Sequence, residues 1–263
     1  MAELNLIDQS KYIRRRIVEL AYKAGKNGAH IGGSMSVVEI LVSLYSFIAN
    51  HKGEKRDRII LSKGHAALAL YSLLEYHNIL TKDETDTFET NGTHFYAHAP
   101  RNIEKGIEFS GGSLSLGLSF AIGVAISCKK HQYDNRIYAI VGDGECDEGL
   151  IWESIMSASN FKLNNFTIIV DCNEVQLDGR TNEIMNLENL AKKFESFGFL
   201  TIEVNGHSTQ EIITALSISS DKPKAIIAHT IKGKGLSFAE GSSLWHHNTI
   251  TEDLLAQALS ELK

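Results

Sequence analysis

The 263-residue chain is poor in cysteine: it has three, an odd number, and no CxxC spacing relates them. That excludes a disulfide framework and a cysteine-based zinc site. No stretch approaches the ~18 consecutive apolar residues of a membrane-spanning helix, and the N-terminal "MAELNLIDQSKYIRRR" lacks the apolar segment of a secretory signal. Positive charge is not in excess either. The net charge of −6 and the pI near 6.0 argue against a nucleic-acid or anionic-membrane surface. The basic runs "RRR" (14–16) and "KGEKRDR" (52–58) are short and read as solvated faces. Linkers, low-complexity segments and internal repeats are also missing. With 43% apolar and 22% charged residues, the chain reads as one large cytoplasmic domain with no nucleic-acid or membrane partner.

What is present is a pattern of helices and buried strands. Ile13, Ile17, Leu20 and Ala24 form a helical stripe. "SVVE" (36–39) has the spacing of a capping box and predicts a helix from there to about residue 50. "DRIILS" (57–62) predicts a strand, followed by a helix over 66–77. A glycine-rich stretch, "SGGSLSLG" (110–117), leads into an apolar helix within 113–131. From residue 137 strands and helices alternate: strand "IYAIVG", helix 149–161, strand 166–171, helix 187–197, strand 200–205, a helix opened by "STQE" (208–211), and strand 224–231. Short continuous apolar strands between helices predict an α/β fold with a mainly parallel sheet and helices on both faces. In such a sheet, ligands bind at the carboxyl ends of the strands.

At one of those ends lies "VGDGECDEG" (141–149), with four acids in six positions. Asp143 follows one strand and Asn173 follows the next, and a right-handed crossover brings the two strand tips together. A carboxylate and an amide carbonyl are hard ligands suited to magnesium, which borrows further oxygens from a substrate phosphate. Gly142 and Gly144 let backbone approach a phosphate, and the helix from Gly149 aims its amides at the same place. Together these predict a magnesium–diphosphate clamp. Cys146 and Cys172 lie near it but are soft, poor magnesium ligands. Four histidines, His30, His65, His98 and His246, sit in glycine-rich or loop contexts at element ends, as a pocket for a polyhydroxylated substrate would place them. His77, His131 and His207 read as structural or exposed, and Trp152 and Ile155 as core.

GDG followed some thirty residues later by an asparagine resembles the thiamine diphosphate motif. "AHIGGSMSVVEIL", "DRIILSKGHAALALYSLL", "SGGSLSLGLSFAIGVAIS" and "TIKGKGLSFAEGSSLWHH" resemble, in order, the histidine and cofactor segments of transketolases. The resemblance implies a three-layer α/β/α thiamine diphosphate-binding fold over 1–263 and transfer of a two-carbon ketol unit from a ketose to an aldose. It implies that Asp143, Asn173 and the Val175 carbonyl bind Mg2+, with Ca2+ or Mn2+ as substitutes. Gly144 and His65 would hold the diphosphate, Leu114 the aminopyrimidine, and His30, His98 and His246 the sugar. Glu148, with Glu153, would join a carboxylate network between paired active sites. Glu145 and Asp147 have no part in that scheme and read as solvated. The alternatives are the α chain of a 2-oxo acid dehydrogenase and a cofactor-binding subunit without catalytic function.

The chain departs from the family in three respects. The pyrimidine-binding and C-terminal domains are missing, which implies a partner chain, a C-terminal transketolase subunit, in an α2β2 heterotetramer. His98 sits in "YAHAP" where a glycine–histidine–proline turn is usual, and Ile31 follows His30 where proline is common. Both imply a reshaped sugar pocket, and so a sugar phosphate or modified ketose as donor.

Overall fold

The computed structural model describes residues 2–48, 53 and 55–263. In chain order the elements are α1 (Ala2–Lys23), α2 (Gly32–Ser36), α3 (Val38–Phe47), β1 (Arg58–Leu61), α4 (Ala67–Tyr76), α5 (Lys82–Thr85) and α6 (Leu116–Lys130). There follow β2 (Ile137–Gly142), α7 (Gly149–Asn160), β3 (Phe166–Cys172), α8 (Thr181–Ile184), α9 (Leu190–Ser196), β4 (Leu200–Asn205), α10 (Thr209–Ser217), β5 (Lys224–His229) and α11 (Glu252–Glu261). The strands pair in parallel in the order β1-β2-β3-β5-β4.

Side chains alternate across this sheet, as strand geometry requires. Tyr138, Ile140, Ile169 and Ile226 join one buried core with α1, α3, α4 and α10. Ile137, Ala139, Val141, Ile168 and Val170 join a second with α6, α7 and α9. The result is the expected three layers. The chain steps from β2 to β3 and on to β4 past helices of the second layer, then returns to β5 through α10 on the first, as right-handed crossovers demand. Every strand therefore points its carboxyl end to one edge.

Several local expectations are corrected. The capping box at 36–39 does not form: Ser36 closes α2 and donates its hydroxyl to Asp171 at 2.6 Å, while Glu39 takes Arg14. The last residues expected in that helix, 49 and 50, lie outside the described residues. α9 opens at Leu190, because Asn189 caps it by accepting from the Lys192 amide at 2.8 Å. The "STQE" box forms in half: Ser208 caps Glu211, whose carboxylate accepts from Asn205 instead of the Ser208 amide.

The basic runs are not solvated faces. Arg14 pairs with Glu39, and Arg16 with Glu75 and Asp86, all within the first layer. Arg56 and Arg58 converge on the buried Glu108; residues 52 and 54 of that run lie outside the described residues. Ile155 is core, and Trp152, half-buried, packs against that core with its indole on Phe194 and Phe197.

Candidate active site

The carboxyl ends of β1, β2, β3 and β5 surround a cavity of about 260 Å³. Its wall includes His30, His65, His98, Leu114, Asp143, Gly144, Asn173, Val175 and His246. These are sequence-predicted site residues from segments far apart in the chain, and the fold brings them together. Glu148 and Glu153 are not among them. Both are exposed, Glu148 at the N-terminal cap of α7 and Glu153 on its outer face, in a shallow depression shared with Ser119 and Gly123 of α6.

Asp143 is buried at the tip of β2. Its carboxylate accepts the Gly144 amide at 2.8 Å and the Glu174 amide at 2.5 Å. Burial, with the neighbouring Asp171 charge, pushes it up to about 6. Asn173 Oδ1 accepts from the Val175 amide at 3.2 Å. The Val175 carbonyl accepts from Lys232 Nζ at 2.8 Å, and Lys232 also reaches the Gln176 carbonyl at 3.4 Å.

The donor set fits a hard cation. It offers a carboxylate, an amide oxygen and a carbonyl, each with lone pairs to spare, and two buried acids whose repulsion a cation would relieve. Among the described residues no three His, Cys, Asp or Glu side chains converge as a metal cluster. Such a cation would complete its shell from water and phosphate oxygens. The pocket also fits an organic group with polar atoms: His30 Nδ1 and Gln176 Oε1 are buried without a partner. A Cβ on Gly144 would stand 2.9 Å from Gln176 Cβ, so only glycine fits that wall.

Four histidine rings line the cavity. His30 lies 5.9, 5.1 and 5.4 Å, centroid to centroid, from His65, His98 and His246. Burial and the neighbouring rings hold His30 down at about 3; burial and Lys232 hold His246 at about 4. His65 is pushed well below its usual range by burial and Lys63, and His98 is lowered by burial. The rings are therefore neutral near pH 7 and can both give and take hydrogen bonds. Lys232 Nζ stands 3.1 Å from His246 Nδ1. An ammonium only donates, so His246 carries its proton on Nε2.

Sequence reasoning misses Lys63 and Lys232 in the cavity wall, Asp171 behind them, and the neighbouring His247. Lys63 lies inside "SKGH" and Lys232 inside "TIKGKG", where nothing local marks either as a site residue; both are buried. Lys63 pairs with Asp171, which also takes Ser36 and Thr230 hydroxyls and the Asn173 amide. The available signal for Asp171 is an acid ending an otherwise apolar strand. His247, beside the predicted His246, packs on His30 at 4.6 Å.

Glu145, expected to be solvated, is 2% exposed. It accepts from Ser62 Oγ at 2.5 Å, the Ser115 amide at 2.8 Å and the Gly142 amide at 3.1 Å. Burial raises it, those three donors opposing. Asp147 is half-buried, and burial raises it too. The acid cluster of 143–148 thus resolves into a site carboxylate, an internal strut, a half-buried acid and an exposed one. His207, expected to be structural or exposed, is part-buried against Glu39.

A sequence model of the family described as "Transketolase, thiamine diphosphate binding domain" matches residues 8–262. The chain is 37% identical over 262 residues to one of the subunits of the apulose-4-phosphate transketolase of Phocaeicola vulgatus, covering 97% of this chain and 92% of that one. It is also 37% identical over 269 residues to the 6-deoxy-6-sulfo-D-fructose transketolase subunit SqwG of Clostridium sp., covering 99% and 97%. The fold superposes on the crystal structure of transketolase from Campylobacter jejuni with a TM-score of 0.86 at 31% identity, over 98% of this chain and 42% of that one. The chain spans about two fifths of that longer protein.

Proposed function

Since the chain belongs to the transketolase family, as a thiamine diphosphate-binding N-terminal subunit, we propose that it supplies the diphosphate and metal half of a two-chain enzyme. That enzyme transfers a two-carbon ketol unit from a ketose to an aldose. The pyrimidine-binding and C-terminal domains reside on a partner subunit, in an α2β2 assembly in the cytoplasm. The relatives favour this reading over a 2-oxo acid dehydrogenase. Among the described residues no helix is long and apolar enough to cross a membrane.

One observation carries the reading: Asp143, Asn173, the Val175 carbonyl and four neutral histidines share one cavity at the strand tips. Asp143, Asn173 and Val175 would hold Mg2+, with Gly144 and His65 on the diphosphate and Leu114 on the aminopyrimidine. The bound group supplies a carbon nucleophile for the ketose carbonyl. The protein's own part is to orient the sugar, exclude water and move protons. His30 and His98 do this through ring nitrogens whose depressed basicity keeps them unprotonated and able to accept a hydroxyl proton, while His246, its Nδ1 held by Lys232, donates to the sugar through Nε2–H. Glu148 and Glu153, both exposed, one at the cap of α7 and one on its outer face, face the partner copy.

A modified ketose is the donor. The "YAHAP" loop and Ile31 beside His30 support this, and the two relatives are named for apulose-4-phosphate and a sulfofructose. The test is thiamine diphosphate binding with Mg2+ by calorimetry. Asp143→Ala and Asn173→Ala are expected to abolish cofactor retention, and parent-like affinity in either would overturn the reading. Ketol transfer by this chain without a partner would overturn the two-chain assignment.

A further inference from the structure

The loop after β5 places Lys232, which holds both the Val175 carbonyl and the His246 tautomer. That loop is itself held by groups outside the cavity. The Ile231 amide donates to His207 Nε2 at 2.8 Å. A backbone amide can only donate, so Nε2 is bare and the ring proton sits on Nδ1, which faces Glu39 Oε2 at 2.9 Å. Glu39 is buried and held down at about 2: burial pushes it up, and hydrogen bonds from Arg14 and His207 more than offset that. Arg14 grips it with two nitrogens and sends its third, Nε, to the Lys234 carbonyl at 3.1 Å. The two contacts fall on Ile231 and Lys234, on either side of Lys232.

We infer that His207, Glu39 and Arg14 form a brace whose function is to position Lys232, and through it the Val175 carbonyl and His246, without any of the three touching the cavity. Several features favour positioning over general packing. The chain of donors is directional, each group having one protonation form that satisfies both neighbours. It joins α1, α3 and the carboxyl end of β4 to a single four-residue segment. Its other ties are mostly to its own loop: the Lys234 amide reaches the Ile231 carbonyl, the Leu236 amide the Gly233 carbonyl, the Gly241 amide the Lys232 carbonyl and Lys234 pairs with Glu240, while the Gly233 amide reaches the Gly32 carbonyl. Groups that orient a ligand-holding side chain from one step away commonly change affinity by about 10–100-fold when removed. His207, Glu39 and Arg14 are positioning residues in this sense.

The inference rests on reading the cavity as the diphosphate and metal site, and two measurements separate the two. The first is amide hydrogen exchange on the ligand-free chain. His207→Phe keeps the ring's bulk and removes both hydrogen bonds; it is expected to speed exchange at Ile231, Gly233 and Lys234 by roughly ten-fold or more. His207→Gln, whose Oε1 can still accept from Ile231, is expected to restore most of the protection. Unchanged exchange in the phenylalanine variant at these amides overturns the brace.

The second is a double-mutant cycle on thiamine diphosphate affinity, with Mg2+, between His207→Phe and Lys232→Met. The side chains do not touch, so independent effects would add. The brace predicts instead that the double variant binds no more weakly than Lys232→Met alone. Additive losses overturn it. A parent chain that binds no thiamine diphosphate even when assembled with its partner subunit overturns the proposed function and leaves the exchange result to decide on the brace.

Discussion

Glu145→Ala tests how the cofactor loop is fixed to the sheet. The carboxylate joins three segments: Ser62 after β1, Gly142 at the end of β2, and Ser115, which stands before α6 at φ +68°. The Ser62 hydroxyl can rotate to a new partner, so its share is small. The two backbone amides cannot move, and each buried donor left bare costs about 1–3 kcal/mol. The Ser115 amide lies in a left-handed backbone that a non-glycine residue adopts at a cost of about 1–2 kcal/mol, so its loss also releases strain and moderates the total. Two bare donors at about 2 kcal/mol each, less about 1 kcal/mol of released strain, sum to about 3 kcal/mol. For a chain of this size each kcal/mol shifts the thermal midpoint by roughly 2–4 °C, giving a drop on the order of 10 °C by calorimetry or circular dichroism. Glu145→Gln keeps the shape but turns an amide N–H toward one of the donors, and about half the loss is expected. A midpoint within about 2 °C of the parent for the alanine variant would refute the reasoning.

Further outcomes follow from the same geometry. Lys63→Met strands Asp171 as a buried unpaired charge and is expected to cost about 3–5 kcal/mol in urea unfolding, whereas Lys63→Met with Asp171→Leu should lie nearer the parent than either single change. His30 and His246 are held at about 3 and 4 by burial, below the 6.5 of a free ring. The unfolded chain therefore binds their protons first as acid is added. Stability is full above about pH 6.5 and falls below it, by about 1–2 kcal/mol near pH 5.5 after allowance for partial exposure. Urea midpoints measured from pH 7 to 5 check this, and a flat profile contradicts it. Gly64→Ala would place a Cβ 2.8 Å from Gly111 Cα and Gly112 N, against backbone that cannot step aside. A loss of about 1–3 kcal/mol is expected in thermal unfolding.

Much of this architecture was legible in the sequence, for definite reasons. "IYAIV", "FTIIV" and "KAIIA" are continuous apolar runs because both sheet faces are covered, and that reads directly as parallel strands. Asp143 and Asn173 were legible because each stands one residue beyond the strand that such a run forms. Glu145 was not: two residues further on, it looks like any charge in a turn, and only the approach of Ser62 and Ser115 from other crossovers buries it. Arg14 and Arg16 failed similarly. Glu19 is a local partner of Arg16, but the acids that bury the two guanidiniums, Glu39 and Glu75, lie 25 and 59 residues away, beyond what local pattern reports, so a basic triplet looks like a wet surface. Ser36 had cap spacing, but Asp171 offered its hydroxyl a buried anion, and a charge-assisted bond outcompetes an N-cap.

Asp171 has a consequence for how such a site comes into being. One carboxylate collects donors from α2, from the turn after β1, from the turn after β5 and from Asn173. These segments span the chain from residue 36 to residue 230. A fragment ending before β5 would display the GDG turn and its asparagine but lack a tether at this knot. The pocket has no halves: it closes once the last parallel strand is laid in, and loosening one corner slackens all of them.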